Sequence, residues 1–219
     1  GRAFEPPAAE RAEAAAQPSP ETVRHADATA GLVVTSVFEA FPGLSAVRTY
    51  TRLSSARPLP IEAVSSLNLT VPMRVNCGKI SHSRIFWGDS AWAVENDWHN
   101  RSLRETQLRD RNQNINPGQS SSRFALSSTS TWSTGVHEPA GIVQVEGSTR
   151  RARDFSVMWQ IEHNGPWEWE VGEDDPGLHI SAFGPEFQDH QWYTQLGEGN
   201  DSESVPVSFA ITSGNWQQS

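Results

Sequence analysis

The sequence predicts an all-β protein, a large two-sheet antiparallel β-sandwich, and two observations support this prediction. Within Phe155–Pro206, apolar and polar residues alternate in short runs, so every second side chain falls on one face of a strand. Tight-turn sequences separate these runs, among them His163–Pro166 and Gly197–Asn200. Strands joined by short turns are typical of a sandwich, and roughly a dozen of them exceed an immunoglobulin-sized one.

The first third of the chain is predicted to contain a lead-in segment followed by the first strands. Residues 1–30 are rich in Ala and Pro and are expected to form a mobile or surface-draped lead-in, because prolines bound its one short helical stretch. The sandwich domain is therefore expected to span residues 31–219. It begins with two strands around a turn at Phe41–Leu44, and Ile61–Val75 is predicted to be a third strand region with Val64, Leu67 and Leu69 inward.

The rest of the chain continues the β pattern. Arg104–Asn114 has few apolar residues at helical spacing, which favours a strand edge or a long excursion over a helix. Ser120–Thr131 is rich in Ser and Thr, which favours β-structure. Clear strand patterns follow Ala140, namely GIVQVEG, FSVMWQIEH, WEWEVGE, LHISAF, HQWYTQLG and VPVSFAIT.

Composition limits the classes of function. The 219 residues carry a net charge of −9, which argues against nucleic acid as a partner. No apolar run reaches the length of a membrane span, so no membrane partner is expected. The single cysteine, Cys77, cannot form an internal disulfide, which favours a reducing, cytoplasmic location, although many secreted bacterial enzymes also lack disulfides and secretion stays open. Lys79 is the only lysine among 17 basic residues, an arginine bias that indicates a GC-rich bacterial source.

Two tryptophans on one predicted strand are the first candidate sugar contacts. Trp167 and Trp169 are two residues apart, so they share one face and could stack against a sugar, although large aromatics more often form core or interface. Glu168 and Glu170 then share the opposite face. Paired carboxylates are what a glycosidase needs, but the solvated face of an amphipathic strand is the favoured interpretation here.

A second group of aromatic and acidic residues precedes it in the chain. Trp92, Glu95 and Trp98 lie close together in sequence, and acids near aromatics suggest a sugar pocket. The alternative is an edge strand whose charged residues point outward. The candidate carbohydrate-contacting residues are therefore Trp92, Glu95, Trp98, Trp167 and Trp169.

No other chemistry is indicated by the sequence. The seven histidines form no H-x-H or H-x-x-x-H pair, so no metal site is predicted. G-x-S-x-G is absent, as are the glycine-rich nucleotide motifs, so neither a hydrolase elbow nor a cofactor is expected. Cys77 has no neighbour that would activate its thiol. No catalytic residue is predicted.

Four blocks occur in a fixed order along the chain. They are Trp92-Ala93-Val94-Glu95 with Arg101 and Leu103 after it, Gly118–Arg123, Trp159–Trp167, and His190–Gly199 followed by Val205-Pro206 and a last strand. The ordered set covers about residues 31–216 and resembles the N-terminal β-domain of glycoside hydrolase family 36 (GH36) α-galactosidases. It implies a β-supersandwich similar to galactose mutarotase-like sandwiches.

The resemblance also implies a function that this chain does not perform alone. In the family, this domain packs against a (β/α)₈ barrel of the same polypeptide, and the barrel carries both catalytic aspartates. The family's Lys-Trp-Asp nucleophile motif has no match here, since the only lysine lies in Cys77-Gly78-Lys79-Ile80. The chain is therefore expected to be a non-catalytic domain of a retaining α-galactosidase-like enzyme. α-Galactoside sugars and a homo-oligomer are implied for the parent enzyme.

Two other functions stay open at this point. One is a free-standing carbohydrate-binding module that uses exposed tryptophans. The other is a mutarotase-type sugar epimerase, which shares the sandwich and needs His and Glu to converge in a cleft. His163, His179 and His190 are the histidines to be located for that test.

Overall fold

The computed structural model describes residues 19–27, 31–72, 83–106, 108, 123–147, 154–174 and 177–214, and strands dominate these ranges. The strands are β1 (Ser19–Asp27), β2 (Leu32–Ala40), β3 (Ala46–Ser55), β4 (Leu59–Ile61), β5 (Ser65–Pro72), β6 (Arg84–Ala91), β7 (Val94–Ser102), β8 (Arg123–Ser128), β9 (His137–Val145), β10 (Phe155–Ile161), β11 (Trp167–Asp174), β12 (Gly177–Phe183), β13 (Thr194–Leu196), β14 (Ser202–Glu203) and β15 (Val207–Ser213). A short helix, α1, spans Phe187–His190.

Two antiparallel sheets form the sandwich. The large sheet has the order β1-β2-β3-β15-β10-β9-β6-β7, with β14 also paired to β3. The small sheet has the order β5-β12-β11-β8, and β13 pairs separately with β4. Every strand pair in these sheets is antiparallel. The predicted all-β antiparallel sandwich is confirmed.

The core lies between the sheets and is formed by the residues that strand alternation turns inward. Trp159 of β10 meets Trp169 of β11 edge to face, with ring centroids 5.2 Å apart. Such a pair contributes about 0.5–1.5 kcal/mol beyond its buried area. Gly141 of β9 leaves room for Trp159, because a Cβ there would lie 2.3 Å from the indole Cζ2. A glycine in this strand is therefore a packing requirement.

Several predicted elements are confirmed in place. The turn at Phe41–Leu44 joins β2 to β3, the Leu44 N–H donating to the Phe41 carbonyl at 3.1 Å. In β5, Leu67 is buried and Leu69 packs at the rim of the core. β8 falls within the Ser- and Thr-rich Ser120–Thr131 segment.

Some sequence segments fall wholly or partly outside the described residues. Cys77, Lys79 and the Gly118–Ser122 part of the second family block are among them. Of the predicted excursion Arg104–Asn114, the structure describes 104–106, in a turn, and the buried Leu108.

The start of the domain differs from the prediction. β1 pairs with β2 over all nine of its residues, from Ser19 opposite Ala40 to Asp27 opposite Leu32. The sandwich thus begins no later than Ser19, inside the segment expected to be a lead-in. Pro20 is tolerated because β1 is an edge strand, where a missing N–H breaks no second ladder. The predicted helical stretch lies in 1–18, outside the described residues.

The predicted strand HQWYTQLG is mostly wrong. Only Thr194–Leu196 is a strand, because α1 occupies Phe187–His190. The carboxylate of Glu186 caps this helical turn by accepting the N–H groups of Gln188 and Asp189, each at 2.5 Å. Such a cap satisfies backbone donors that a strand would otherwise pair.

Candidate functional site

The β6–β7 hairpin carries the first group of candidate sugar contacts at the edge of the large sheet. Ala91 pairs with Val94, so Trp92 and Ala93 form a two-residue turn, and Ala93 takes a positive φ of 64°. The turn projects Trp92, whose surface is 88% exposed. An indole this exposed offers both faces to a ligand or to another protein surface.

Trp98 lies farther along the same hairpin and is held in place. Its indole N–H donates to the Asn96 Oδ1 at 2.6 Å. Its ring lies beside Gly88 of β6, where a Cβ would be 3.3 Å from the indole Cε2. Trp98 stays 42% exposed, so it presents a fixed, accessible aromatic surface.

Glu95 forms a hydrogen bond that stabilises the turn of this hairpin. Its Oε1 accepts the Ala93 N–H at 3.2 Å, and the residue is exposed. Trp92, Glu95 and Trp98 therefore share one hairpin, which we call the aromatic hairpin. The hairpin combines two accessible indoles with a carboxylate that already has one hydrogen bond.

The second pair of candidate tryptophans is in the core. Trp167 and Trp169 have 0% exposed surface. The Trp167 indole N–H donates to the Ser133 carbonyl at 2.7 Å, and the Trp169 ring packs against Phe124 and Trp159. A ring without exposed surface has no face for a sugar. The sugar-contact prediction is therefore corrected for this pair, because β11 lies inside the small sheet and under the large one.

A carboxylate bridges two histidines near the aromatic hairpin. Asp89 of β6 contacts His99 of β7 through Oδ2 and His137 of β9 through Oδ1, each at 2.7 Å. Burial opposes ionisation of Asp89, but the hydrogen bonds from His137 and His99 outweigh it and lower its pKa. The link ties three strands together where a register shift interrupts the pairing of β6 with β9.

The outward face of β11 is not the solvated face that the sequence suggested. Glu168 is only 6% exposed, and burial, with help from nearby Asp189, Glu170 and Glu186, raises its pKa to about 7. Arg123 is ion-paired with both carboxylates but lies closer to Glu170, at 2.7 Å, than to Glu168, at 3.9 Å. Glu168 is thus a buried carboxyl whose long ion pair with Arg123 does not offset the cost of its burial.

Glu168 also lies near the cap of α1. One carboxylate oxygen each from Glu168, Glu186 and Asp189 lie within 4.8 Å of one another. The Glu186 carboxylate already accepts hydrogen bonds as the cap of the helix, and the Asp189 side chain is exposed to solvent. Acidic groups this close add to the effect of burial, which is the main cause of the raised pKa of Glu168. The cluster alone does not establish a metal site.

Two of the three histidines considered for sugar epimerisation lie beside glutamates. His179 Nε2 is 3.6 Å from Glu170 Oε1, and His190 Nδ1 is 3.3 Å from Glu186 Oε1. The side chain of His190 is 1% exposed, so it faces no cleft. Burial lowers the pKa of the third histidine, His163.

Solved α-galactosidases contain a domain with this arrangement of strands. The GH36 α-galactosidase AgaA from Geobacillus stearothermophilus matches with a TM-score of 0.69 over 90% of this chain, at 14% identity. The α-galactosidase from Lactobacillus brevis matches with a TM-score of 0.68 over 93%, at 14% identity. The fold is that of GH36 N-terminal domains.

The likeness to the GH36 fold confirms the predicted resemblance. This chain matches only a limited part of each enzyme. The galactosidase domain of the α-galactosidase–sucrose kinase AgaSK matches with a TM-score of 0.65 over 89% of this chain, at 13% identity. This chain covers 24% of the AgaA chain, 26% of the Lactobacillus brevis chain and 24% of the AgaSK chain. No family model and no curated protein matches the sequence. Among the described residues, no helix has the length and apolarity needed to cross a membrane.

Within this GH36-type sandwich, sequence reasoning missed the polar clusters. Asp89 and His137 are 48 residues apart in the chain, and only the pairing of β6 with β9 brings them together. Glu168 and Glu186 meet through the cap of a helix that the sequence did not predict. Neither cluster has a sequence motif that could have revealed it.

Proposed function

We propose that this chain is the non-catalytic N-terminal β-domain of an α-galactosidase-like retaining glycoside hydrolase. The observation that supports the proposal is the match of about nine-tenths of this chain to about a quarter of each GH36 enzyme. In the proposal, a (β/α)₈ barrel elsewhere in the same polypeptide supplies both catalytic carboxylates and performs the double displacement.

The domain's own role is to support that barrel, to shape one side of the substrate cleft and to make contacts in a homo-oligomer. The aromatic hairpin is the part best suited to such contacts. Trp92 is 88% exposed, and large aromatics concentrate binding energy where two surfaces meet. Variants of AgaA are known in complex with raffinose and with stachyose, so α-galactosides are the substrate class proposed for the parent enzyme.

The carboxylate pair on β11 resembles glycosidase machinery but does not favour catalysis by this chain. Glu168 has a raised pKa, and Glu170 is ion-paired with Arg123, a combination typical of acid and base partners. A general acid must reach the glycosidic oxygen, however, and Glu168 is 6% exposed. A structural role for the pair fits this burial better.

The test is an activity assay of the purified 219-residue chain with 4-nitrophenyl α-galactoside. We expect no release of nitrophenol above the uncatalysed rate. The variants Glu168→Gln and Glu170→Gln should behave like the wild type. Turnover by the chain that either variant abolishes would refute the proposal and assign the chemistry to β11.

A free-standing carbohydrate-binding module is the second candidate, favoured by the exposed indoles of Trp92 and Trp98. Titration with raffinose while recording tryptophan fluorescence separates the two functions. A supporting domain gives no saturable change at these indoles. A carbohydrate-binding module gives one that disappears in Trp92→Ala and Trp98→Ala.

A mutarotase-type epimerase is the remaining alternative, and the contact of His179 with Glu170 is the observation that keeps it. Polarimetry of freshly dissolved α-galactose tests it directly. We expect the chain to leave the spontaneous rate of mutarotation unchanged. An acceleration lost in His179→Ala would favour the epimerase.

A further inference from the structure

A surface pocket of about 480 Å³ lies on the large sheet, on strands that carry neither the aromatic hairpin nor the clusters around Asp89 and Glu168. It is formed by β1, β2, β3 and β14. The hydroxyls of Thr49 and Thr51 on β3 donate to the carbonyls of Ser66 and Ser65 in β5, so these side chains face the small sheet. Side chains alternate along a strand, so Arg52 faces the opposite way. We call this site the outer-face pocket.

Strand register places four polar side chains in one row across the outer-face pocket. Arg24 pairs with Thr35, Thr35 pairs with Arg52, and Arg52 pairs with Glu203. Directly paired residues project on the same side of a sheet. Strands lie about 4.8 Å apart, so the row is wide enough to span a single sugar ring.

Arg52 is held rigidly at the centre of this row. Its Nε donates to Glu203 Oε2 at 2.9 Å, and its Nη2 donates to the Tyr50 hydroxyl at 3.0 Å. The guanidinium also lies 5.2 Å from the centroid of the Tyr50 ring, and the Tyr50 hydroxyl donates to Glu39. A guanidinium fixed on two edges loses little further entropy when Nη1 binds a ligand.

The two rims of the pocket carry opposite charges without partners. Within the described part of the chain, neither Arg24 nor Asp201 makes an ion pair or a side-chain hydrogen bond. Arg24 can donate to a ligand from the β1 side, and Asp201 can accept from the opposite side. The hydroxyls of Thr35, Ser54 and Ser202 between them can do both.

The charge balance selects the class of ligand. Arg24 and Arg52 cancel Asp201 and Glu203, so the lining is formally neutral although the chain carries −9. A neutral lining gives a single anion or a single cation no net attraction. Alternating donors and acceptors match hydroxyl groups, which donate and accept together, and the volume is within the usual range for small-molecule sites.

We propose that the outer-face pocket binds a neutral polyhydroxylated ligand, a hexose or a short oligosaccharide, with Arg24 and Asp201 contacting its hydroxyls from opposite rims. Arg52, on the floor of the pocket, donates hydrogen bonds to the ligand from its Nη1–H groups. The site is separate from the aromatic hairpin, which lies at the other edge of the large sheet. It does not depend on the chain being part of a hydrolase.

The experiment is an amide chemical-shift titration of the 219-residue chain with raffinose. We expect saturable shifts at Thr35, Ser54 and Ser202. Arg24→Gln and Asp201→Asn should each lower the association constant about tenfold, since each removes a charge-assisted hydrogen bond. Arg101→Gln and Asp97→Asn make the same chemical changes on exposed positions of β7 and should leave the constant unchanged.

Three results would overturn the proposal. One is the absence of saturable shifts up to the solubility limit of raffinose. Another is a set of shifts confined to the indole signals of Trp92 and Trp98, which would place binding at the aromatic hairpin. The third is tighter binding of galacturonate or galactosamine than of galactose, which would contradict the neutral ligand class. Circular dichroism establishes that each variant is folded.

Discussion

Two tryptophan pairs with similar sequence surroundings have opposite environments. Trp167 and Trp169 alternate with glutamates on β11 and have no exposed surface, whereas Trp92 and Trp98 flank acidic residues on the aromatic hairpin and are 88% and 42% exposed. β11 has a neighbour on each side and the large sheet above it, but β7 is the last strand of its sheet. The position of a strand in its sheet decides whether an aromatic residue stabilises the fold or is available for binding.

The largest expected effect is on the core pair. Trp169→Ala removes a ring that packs against Trp159 and Phe124, so the free energy of unfolding should fall by about 3–5 kcal/mol in urea. Trp92→Ala is the matched control, because the same change at an exposed turn should stay within about 0.5 kcal/mol of wild type. Equal losses in the two variants would contradict the contrast between the pairs.

The next effect concerns the other face of β11. The folded pKa of Glu168, about 7, lies above its usual 4.5, so the folded state holds this proton more tightly than the unfolded chain. The corresponding stabilisation is complete below about pH 4.5 and is lost as the pH rises to about 7. Glu168→Gln cannot ionise, so it should remove this slope and exceed the wild-type stability at about pH 8 by up to about 3 kcal/mol.

The measurement is urea unfolding across this pH range, and Glu170→Gln is the comparison variant. The Glu170 charge contributes to the raised pKa of Glu168, so its loss should reduce the slope only in part, whereas Glu168→Gln removes it. A wild-type stability that does not change between about pH 5 and 7 would show that Glu168 is ionised without penalty, against the burial argument.

A smaller effect distinguishes the two regions through their glycines. Gly141→Ala forces a Cβ against the buried Trp159 ring, which should cost about 1–3 kcal/mol of unfolding free energy. Gly88→Ala meets the Cγ of Glu138 at 2.8 Å, a side chain that can move away, so it should cost less. Thermal unfolding of both variants tests this order. A reversed order would mean that the core around Trp159 accommodates an added methyl group more easily than the hairpin does.

The smallest effect is on the aromatic hairpin itself. Asn96 has a positive φ of 65° and accepts the Trp98 indole N–H, so Asn96→Ala combines backbone strain with the loss of that hydrogen bond. We expect a loss of about 1 kcal/mol and greater mobility of Trp98, measured as reduced fluorescence anisotropy. Asp97→Ala, one residue farther along β7, should leave the anisotropy unchanged.

Most of the strands could be predicted from local patterns, but β1 and α1 could not. Alternation placed β10, β11 and β12 correctly. It failed at β1, which is exposed and forms a strand only because β2 offers nine residues to pair with. It also failed at α1, since the helix depends on the Glu186 cap and not on apolar periodicity.

The candidate site was predictable only as a set of residues. The sequence placed Trp92, Glu95 and Trp98 together, but the two-residue turn that exposes Trp92 was found only in the structure. The raised pKa of Glu168 and the link from Asp89 to His137 could not be foreseen, because both arise from elements distant in the chain.

The sequence by itself determined the strands and which residues share a face, because alternation is a property of neighbouring residues. It also indicated the likeness to the GH36 fold through four blocks in a fixed order. Only the tertiary structure decided which faces are covered. Burial depends on the order of strands in two sheets, and that order buried Trp169 and Glu168, exposed Trp98, and aligned Arg24 with Arg52 across the outer-face pocket.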